Sequence, residues 1–175
     1  MKYNVAQLLK EQSGGMRQYS LHEDIGTLDP DIHPLTTLDG HIQLIRTADG
    51  ILARGTLNTS VELTCSRCVE PFSLPIRFTL EEEFQPTIDI TTGANLPVLD
   101  EQEAATQIDA HHILDLTEVV RQDILLAIPP FPVCRSKCAG LCPQCGQNWN
   151  EGPCDCTEDK VDPRFEALRE LLEEK

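Results

Sequence analysis

Residues 41–65 read HIQLIRTADGILARGTLNTSVELTC, and this stretch decides the fold class. HIQLIRT (41–47) alternates apolar and polar residues, as a strand with one buried face must. Ala48-Asp49-Gly50 then supplies a hairpin turn. ILARGTLNTSVELTC (51–65) resumes the alternation, with Gly55 a candidate bulge. Beyond Cys65-x-x-Cys68, SLPIRFTLEEEF (73–84) repeats it: Ile76, Phe78 and Leu80 share one face, Arg77 and Thr79 the other. Three strands joined by short turns predict an antiparallel sheet with one wet face.

Outward from the strands, residues 4–12 read as a short helix capped by Asn4 and stopped by Gly14-Gly15. Residues 16–35 carry mixed signals. Residues 85–112 are polar and acidic and read as a long loop or partly ordered linker. LTEVVRQDILLAIPP predicts a helix over 117–128, with Thr117 as its cap. Its buried stripe is Val120, Ile124, Ala127 and Ile128, and Pro129-Pro130 ends it. VDPRFEALRELLEEK predicts a last helix, with Asp162 as cap and Pro163 in the first turn. The expected fold is α+β: an antiparallel β-sheet or partial barrel, a few flanking helices and a small C-terminal zinc-knuckle module. The expected organisation is an α+β core over 1–130, a Cys-rich module over 131–160 and a C-terminal helix over 161–175.

The chain has 175 residues and a formal charge of −15, from 29 acidic and 14 basic residues. Nucleic-acid affinity comes mostly from Lys and Arg neutralising phosphates, so this balance opposes broad RNA binding and favours basic partners. The N-terminal residues lack the apolar run of a signal peptide, and no stretch approaches the roughly 18 apolar residues of a membrane span. The expectation is a cytoplasmic protein with no membrane partner. In a reducing compartment its eight cysteines point to metal rather than disulfides.

Six cysteines crowd the C-terminal third: Cys134-RSK-Cys138-AGL-Cys142-PQ-Cys145-GQNWNEGP-Cys154-D-Cys156. Cys142-Pro-Gln-Cys145-Gly is a zinc-knuckle half-site, in which the two-residue gap lets both thiolates converge on one ion. Cys154-x-Cys156 shares an ion only if the segment bends, which Gly152-Pro153 permits. Two ligand sets compete. One is Cys142, Cys145, Cys154 and Cys156. The other takes Cys134 or Cys138 in place of one of the Cys-x-Cys pair. If the first holds, Cys134 and Cys138 are left to join Cys65 and Cys68 in a second site. Four-thiolate Zn²⁺ is closed and structural and implies no catalysis. All-cysteine ligation also suits iron–sulfur, but the ferredoxin-type CxxCxxC run is missing. Cys65-Ser-Arg-Cys68 has redox spacing, with Arg67 placed to favour a thiolate, yet it lacks a βαβ context. His22, His33, His41, His111 and His112 read as surface residues, and Glu81-Glu82-Glu83 as a solvated face. The sequence gives no positive support for an enzyme or a small-molecule substrate.

Cys65-Ser-Arg-Cys68-Val-Glu-Pro71 resembles the C-x-R-C-L-x-P signature of the bacterial YceD-like family, with Val69 in place of the usual Leu. The run Cys138 to Cys145-Gly-Gln-Asn-Trp-Asn, then Cys154-Asp-Cys156, then Asp162-Pro-Arg-Phe, is similar to the tail of its cysteine-containing members. The resemblance implies a non-enzymatic role in large ribosomal subunit biogenesis, through accumulation, processing or stability of the large-subunit rRNA. The acidic charge suggests that the route is binding a basic ribosomal protein or a large-subunit precursor. Direct rRNA contact through Arg67 and Arg77, or Arg135 and Lys137, would be weak. The rival readings are a thiol-disulfide oxidoreductase using Cys65 and Cys68, and a zinc-ribbon interaction module with an unrelated partner.

Overall fold

The alternating stretches form strands β3 (Leu38–Arg46) and β4 (Ile51–Thr64), paired antiparallel from Asp39↔Asn58 to Arg46↔Ile51. The turn between them is tied from both sides. The Thr47 N–H donates to the Gly50 carbonyl at 3.0 Å, and Arg46 Nη1 donates to the same oxygen at 2.8 Å. A Cβ on Gly50 would lie 2.1 Å from the Phe84 carbonyl oxygen, so only glycine fits there. At Gly55 the pairing with Ile42 on one side and Leu80 on the other is unbroken, so it is not a bulge. The glycine is instead a point of close approach, 2.5 Å from a would-be Cβ to the His41 carbonyl oxygen.

The structure is a computed structural model that describes residues 1–96 and 105–156. It comprises two compact units: Met1–Ser66 with Glu70–Cys134, and Arg67–Val69 with the residues from Arg135 onward. The helix expected at 161–175 lies outside the described residues.

The first unit is mostly sheet. Besides β3 and β4 it contains β1 (Lys2–Asn4), β2 (Met16–Glu23), β5 (Pro71–Pro86), β6 (Gln107–Ile108) and β7 (Ile113–Asp115). The strand order is β1-β7-β6-β5-β4-β3-β2, antiparallel except between β5 and β6. β1 and β2 are therefore the two edges, yet the rings of Tyr3 and Tyr19 meet across them with centroids 4.7 Å apart. The sheet curls until its edges touch through side chains, which makes it a half-barrel.

Its interior is lined by the inward positions of the long strands, among them Ile42, Leu44, Leu57, Leu80 and Phe84, all fully buried. Two helices flank it among the described residues. α1 (Ala6–Leu9) is shorter than the expected 4–12 because residues 2–4 pair with β7; the Asn4 side chain still accepts the Ala6 N–H at 3.1 Å. α2 (Thr117–Ala127) packs on β5 through Val119, Val120 and Ile124. Its capping acceptor is Asp115, which takes the Thr117 N–H at 3.0 Å, rather than Thr117 itself. Ala127 and Ile128 are only half-buried. Residues 16–23, where the sequence carries mixed signals, form β2. One expectation of irregular structure is corrected: the 85–112 region extends β5 to Pro86 and contributes β6.

Candidate metal centres

None of the eight cysteines is in a disulfide, and they gather into two groups of four. One group is Cys142, Cys145, Cys154 and Cys156; the other is Cys65, Cys68, Cys134 and Cys138. Within each group all four sulfurs lie within 4.8 Å of one another. Bonds of about 2.3 Å to a central zinc separate tetrahedral sulfurs by just under 4 Å. The geometry therefore fits an ion after a small contraction. Cys134 and Cys138, rivals for the first group on spacing alone, have their sulfurs beside those of Cys65 and Cys68.

The first group is built on a hairpin in which Leu141 bridges Asn148. Inside it the Cys142 N–H donates to the Gln147 carbonyl, and the Gly146 N–H returns to the Cys142 carbonyl, both at 2.9 Å. Gly146 holds a φ of +76°, the left-handed geometry a knuckle needs after its second cysteine. Val69 stands at the corresponding place after Cys68 and holds a φ of +60°. A β-branched residue adopts that conformation only at a cost of about 1–3 kcal/mol. Both Cys-x-x-Cys segments thus show the same backbone signature. Glycine announced it in one; in the other valine concealed it from the sequence.

Backbone and side-chain N–H groups are aimed at the sulfurs, as at thiolates. The Cys134 N–H donates to Cys65 Sγ, Asn150 Nδ2 to Cys138 Sγ, and Trp149 Nε1 to Cys154 Sγ, each at 3.4 Å. The Trp149 indole N–H is the main reason that Cys154 is pulled down to about 6. Cys156 is pushed up to about 12, chiefly by its hydrogen bond with Cys145. Thiolates are the ligating form of cysteine, so a cation bound by these four sulfurs would displace their protons. The Asp155 bend lets the Cys-x-Cys pair converge.

Burial distinguishes the groups. Cys65, Cys68 and Cys138 are buried, whereas Cys145 and Cys156 are exposed. Thiol–disulfide exchange needs an accessible sulfur, so the inaccessibility of Cys65 and Cys68 counts against the oxidoreductase reading. Arg67, expected to activate that pair, donates through Nη1 to the Cys138 carbonyl at 3.0 Å.

His22, His33, His41 and His111 are exposed, whereas His112, expected at the surface, is half-buried with its Nδ1 covered. His111 Nδ1 lies 3.9 Å from Asp109 Oδ2, and a cross-strand pairing was unforeseen. His22 Nδ1 lies 2.5 Å from Asp39 Oδ1 on neighbouring strands, and this hydrogen bond raises the imidazole pKa. Glu81, Glu82 and Glu83 are exposed.

A curled, mostly antiparallel sheet and eight cysteines gathered into two fours describe a β-sheet protein equipped with thiolate knuckles. The chain belongs to the YceD family, described as "Large ribosomal RNA subunit accumulation protein YceD", whose pattern matches residues 53–172. It is 30% identical to an uncharacterised protein of Mycobacterium tuberculosis over 77% of this chain and 62% of that protein. The Bacillus subtilis protein YlbN, also uncharacterised, is 29% identical over 68% of this chain and 64% of its own length. "Large ribosomal RNA subunit accumulation protein YCED homolog 1, chloroplastic" of Arabidopsis thaliana is 33% identical over 35% of this chain and 19% of that protein. The chain thus spans about three fifths of the length of its mycobacterial relative. No solved structure matches. Among the described residues, no helix is long and apolar enough to cross a membrane.

Proposed function

We propose that this protein is a non-enzymatic factor in large ribosomal subunit biogenesis. In this reading it acts by holding a basic ribosomal protein or an assembly intermediate, and each Cys₄ group carries a structural Zn²⁺. Membership of a family described by large ribosomal RNA accumulation is the observation that carries the reading. The formal charge of −15 supports the choice of a basic protein over RNA as direct partner. Two of the four cations considered for RNA contact already serve the fold: Arg67 binds the Cys138 carbonyl, and Arg135 binds Asn150 Oδ1. Four thiolates complete a tetrahedral shell and leave no open position for substrate, so the metal would supply shape and no Lewis-acid chemistry.

A strain lacking the gene is expected to show depleted large subunits and large-subunit rRNA on sucrose gradients. Tagged protein should recover basic ribosomal proteins even after RNase treatment. Normal gradients would refute the biogenesis role. Recovery that disappears with RNase would replace the protein-holding route with RNA contact.

A further inference from the structure

Two adjacent residues, Trp149 and Asn150, each donate a hydrogen bond to a sulfur of a different cysteine group. Asn150 Nδ2 reaches Cys138 Sγ and Trp149 Nε1 reaches Cys154 Sγ, each at 3.4 Å. Both residues are pinned from behind. The Asn150 Oδ1 accepts the Ala139 N–H at 2.9 Å and Arg135 Nη2 at 2.5 Å, while Asn150 Nδ2 also donates to Asn148 Oδ1 at 2.7 Å. The Trp149 N–H donates to the Gly140 carbonyl at 3.0 Å. One dipeptide therefore spans from the outer shell of one Cys₄ group to that of the other, with little freedom to adjust at one end alone.

We propose that Trp149-Asn150 couples the two metal sites, so that filling the Cys65, Cys68, Cys134 and Cys138 group raises the affinity of the Cys142, Cys145, Cys154 and Cys156 group. The inference rests on the reading of both groups as metal sites. A cation in the buried group turns Cys138 into a fixed thiolate, and its charge strengthens the Asn150 N–H···S bond. That bond orders Asn150 and, through the shared backbone, Trp149. The indole N–H then stands ready for the Cys154 thiolate, so the second ion no longer has to order it. Repulsion between two four-thiolate centres, each of net charge about −2, works against this, and N–H donors directed at sulfur reduce that repulsion. Linkage makes the effect reciprocal: filling the exposed group must favour the buried one equally. Trp149 and Asn150 are positioning residues here, since neither carries a ligand atom.

Trp149 is the only tryptophan in the chain, so its fluorescence reports on the exposed group separately from cobalt–thiolate absorption, which reports on both. The experiment is an anaerobic Co²⁺ titration of the full, reduced chain, wild type and Asn150→Ala. Asn150→Ala keeps all eight cysteines, so ligand loss cannot explain its effect. The wild type is expected to take two Co²⁺ per chain with tetrahedral thiolate absorption. Asn150→Ala loses the contact to Cys138 with those to Ala139, Arg135 and Asn148, and its side chain donates to no sulfur of the exposed group. The fluorescence-detected affinity of the exposed group is expected to fall about tenfold, the lower end for an outer-shell partner. Two Co²⁺ bound with an unchanged fluorescence-detected affinity would overturn the coupling and leave the metal reading standing. Fewer than two Co²⁺, or no thiolate absorption, would overturn the metal reading and the coupling with it. In a second variant, Cys138→Ser, the same fall at the exposed group is expected; an unchanged affinity there would also overturn the coupling.

Discussion

Val69 is exposed and β-branched, yet it occupies the left-handed region. Nothing in its own chemistry favours that conformation, so the surrounding turn imposes it. Val69→Gly is expected to stabilise the protein by about 1 kcal/mol, the strain released less the extra chain entropy of glycine. Thermal or denaturant unfolding would measure this, and a destabilised variant would show that the valine side chain makes contacts worth more than its strain. A second residue-scale prediction concerns His22. Its hydrogen bond to Asp39 raises the imidazole pKa above its ordinary 6.5, and the same bond lowers the Asp39 carboxyl. The histidine's contribution is full below pH 6.5 and fades as pH rises through the elevated folded value. The aspartate's contribution is present above its ordinary carboxylate range and fades as pH falls through its lowered value. NMR titration should find the His22 pKa above 6.5 and returned towards it in Asp39→Asn. An unmoved value in that variant would mean that the pair is not an ion pair in solution. Neither residue was legible as part of a pair, because cross-strand neighbours 17 positions apart are set by register and not by local sequence.

At the scale of elements, β4 and β5 are the frame, paired along their whole shared length from Ile51↔Phe84 to Thr64↔Pro71. Their alternation was plain because each has one buried face, and a period of two survives any tertiary arrangement that keeps that face inward. β2 was not legible, because only Leu21 of its eight residues is buried and an edge strand needs little apolar surface. β6 is two residues long, and its parallel pairing with β5 depends on a chain return from afar. Phe84 is the largest fully buried side chain of the sheet, and Phe84→Ala is expected to cost about 3–5 kcal/mol. Chemical denaturation would test this; a loss under about 1 kcal/mol would mean that the half-barrel interior collapses around the vacancy.

At the scale of the whole molecule, the two units differ in what holds each together. The sheet unit has a continuous apolar core running from Val5 to Ile124. In residues 135–156 the buried positions are Cys138, Gly140 and Cys142, so that segment has no apolar core of its own. In the proposed reading, bound metal is what holds such a segment in its fold. Stripping metal with a chelator is therefore expected to change Trp149 fluorescence and expose residues 135–156 to protease, while far-UV circular dichroism retains the sheet signal. Wholesale loss of that signal would show that the sheet also depends on metal, through Cys65 and Cys68. The sequence by itself determined the β-rich class, the position of α2 and the cysteine-rich character, because periodicity, proline stops and close Cys-x-x-Cys spacing are local properties. Only the tertiary structure decided which four cysteines stand together, that the strands continue into a seven-stranded curled sheet, and that Asp39 lies beside His22. Each of those facts joins residues far apart in the chain, and their meeting is fixed by the packing of the whole fold and not by any neighbouring residue.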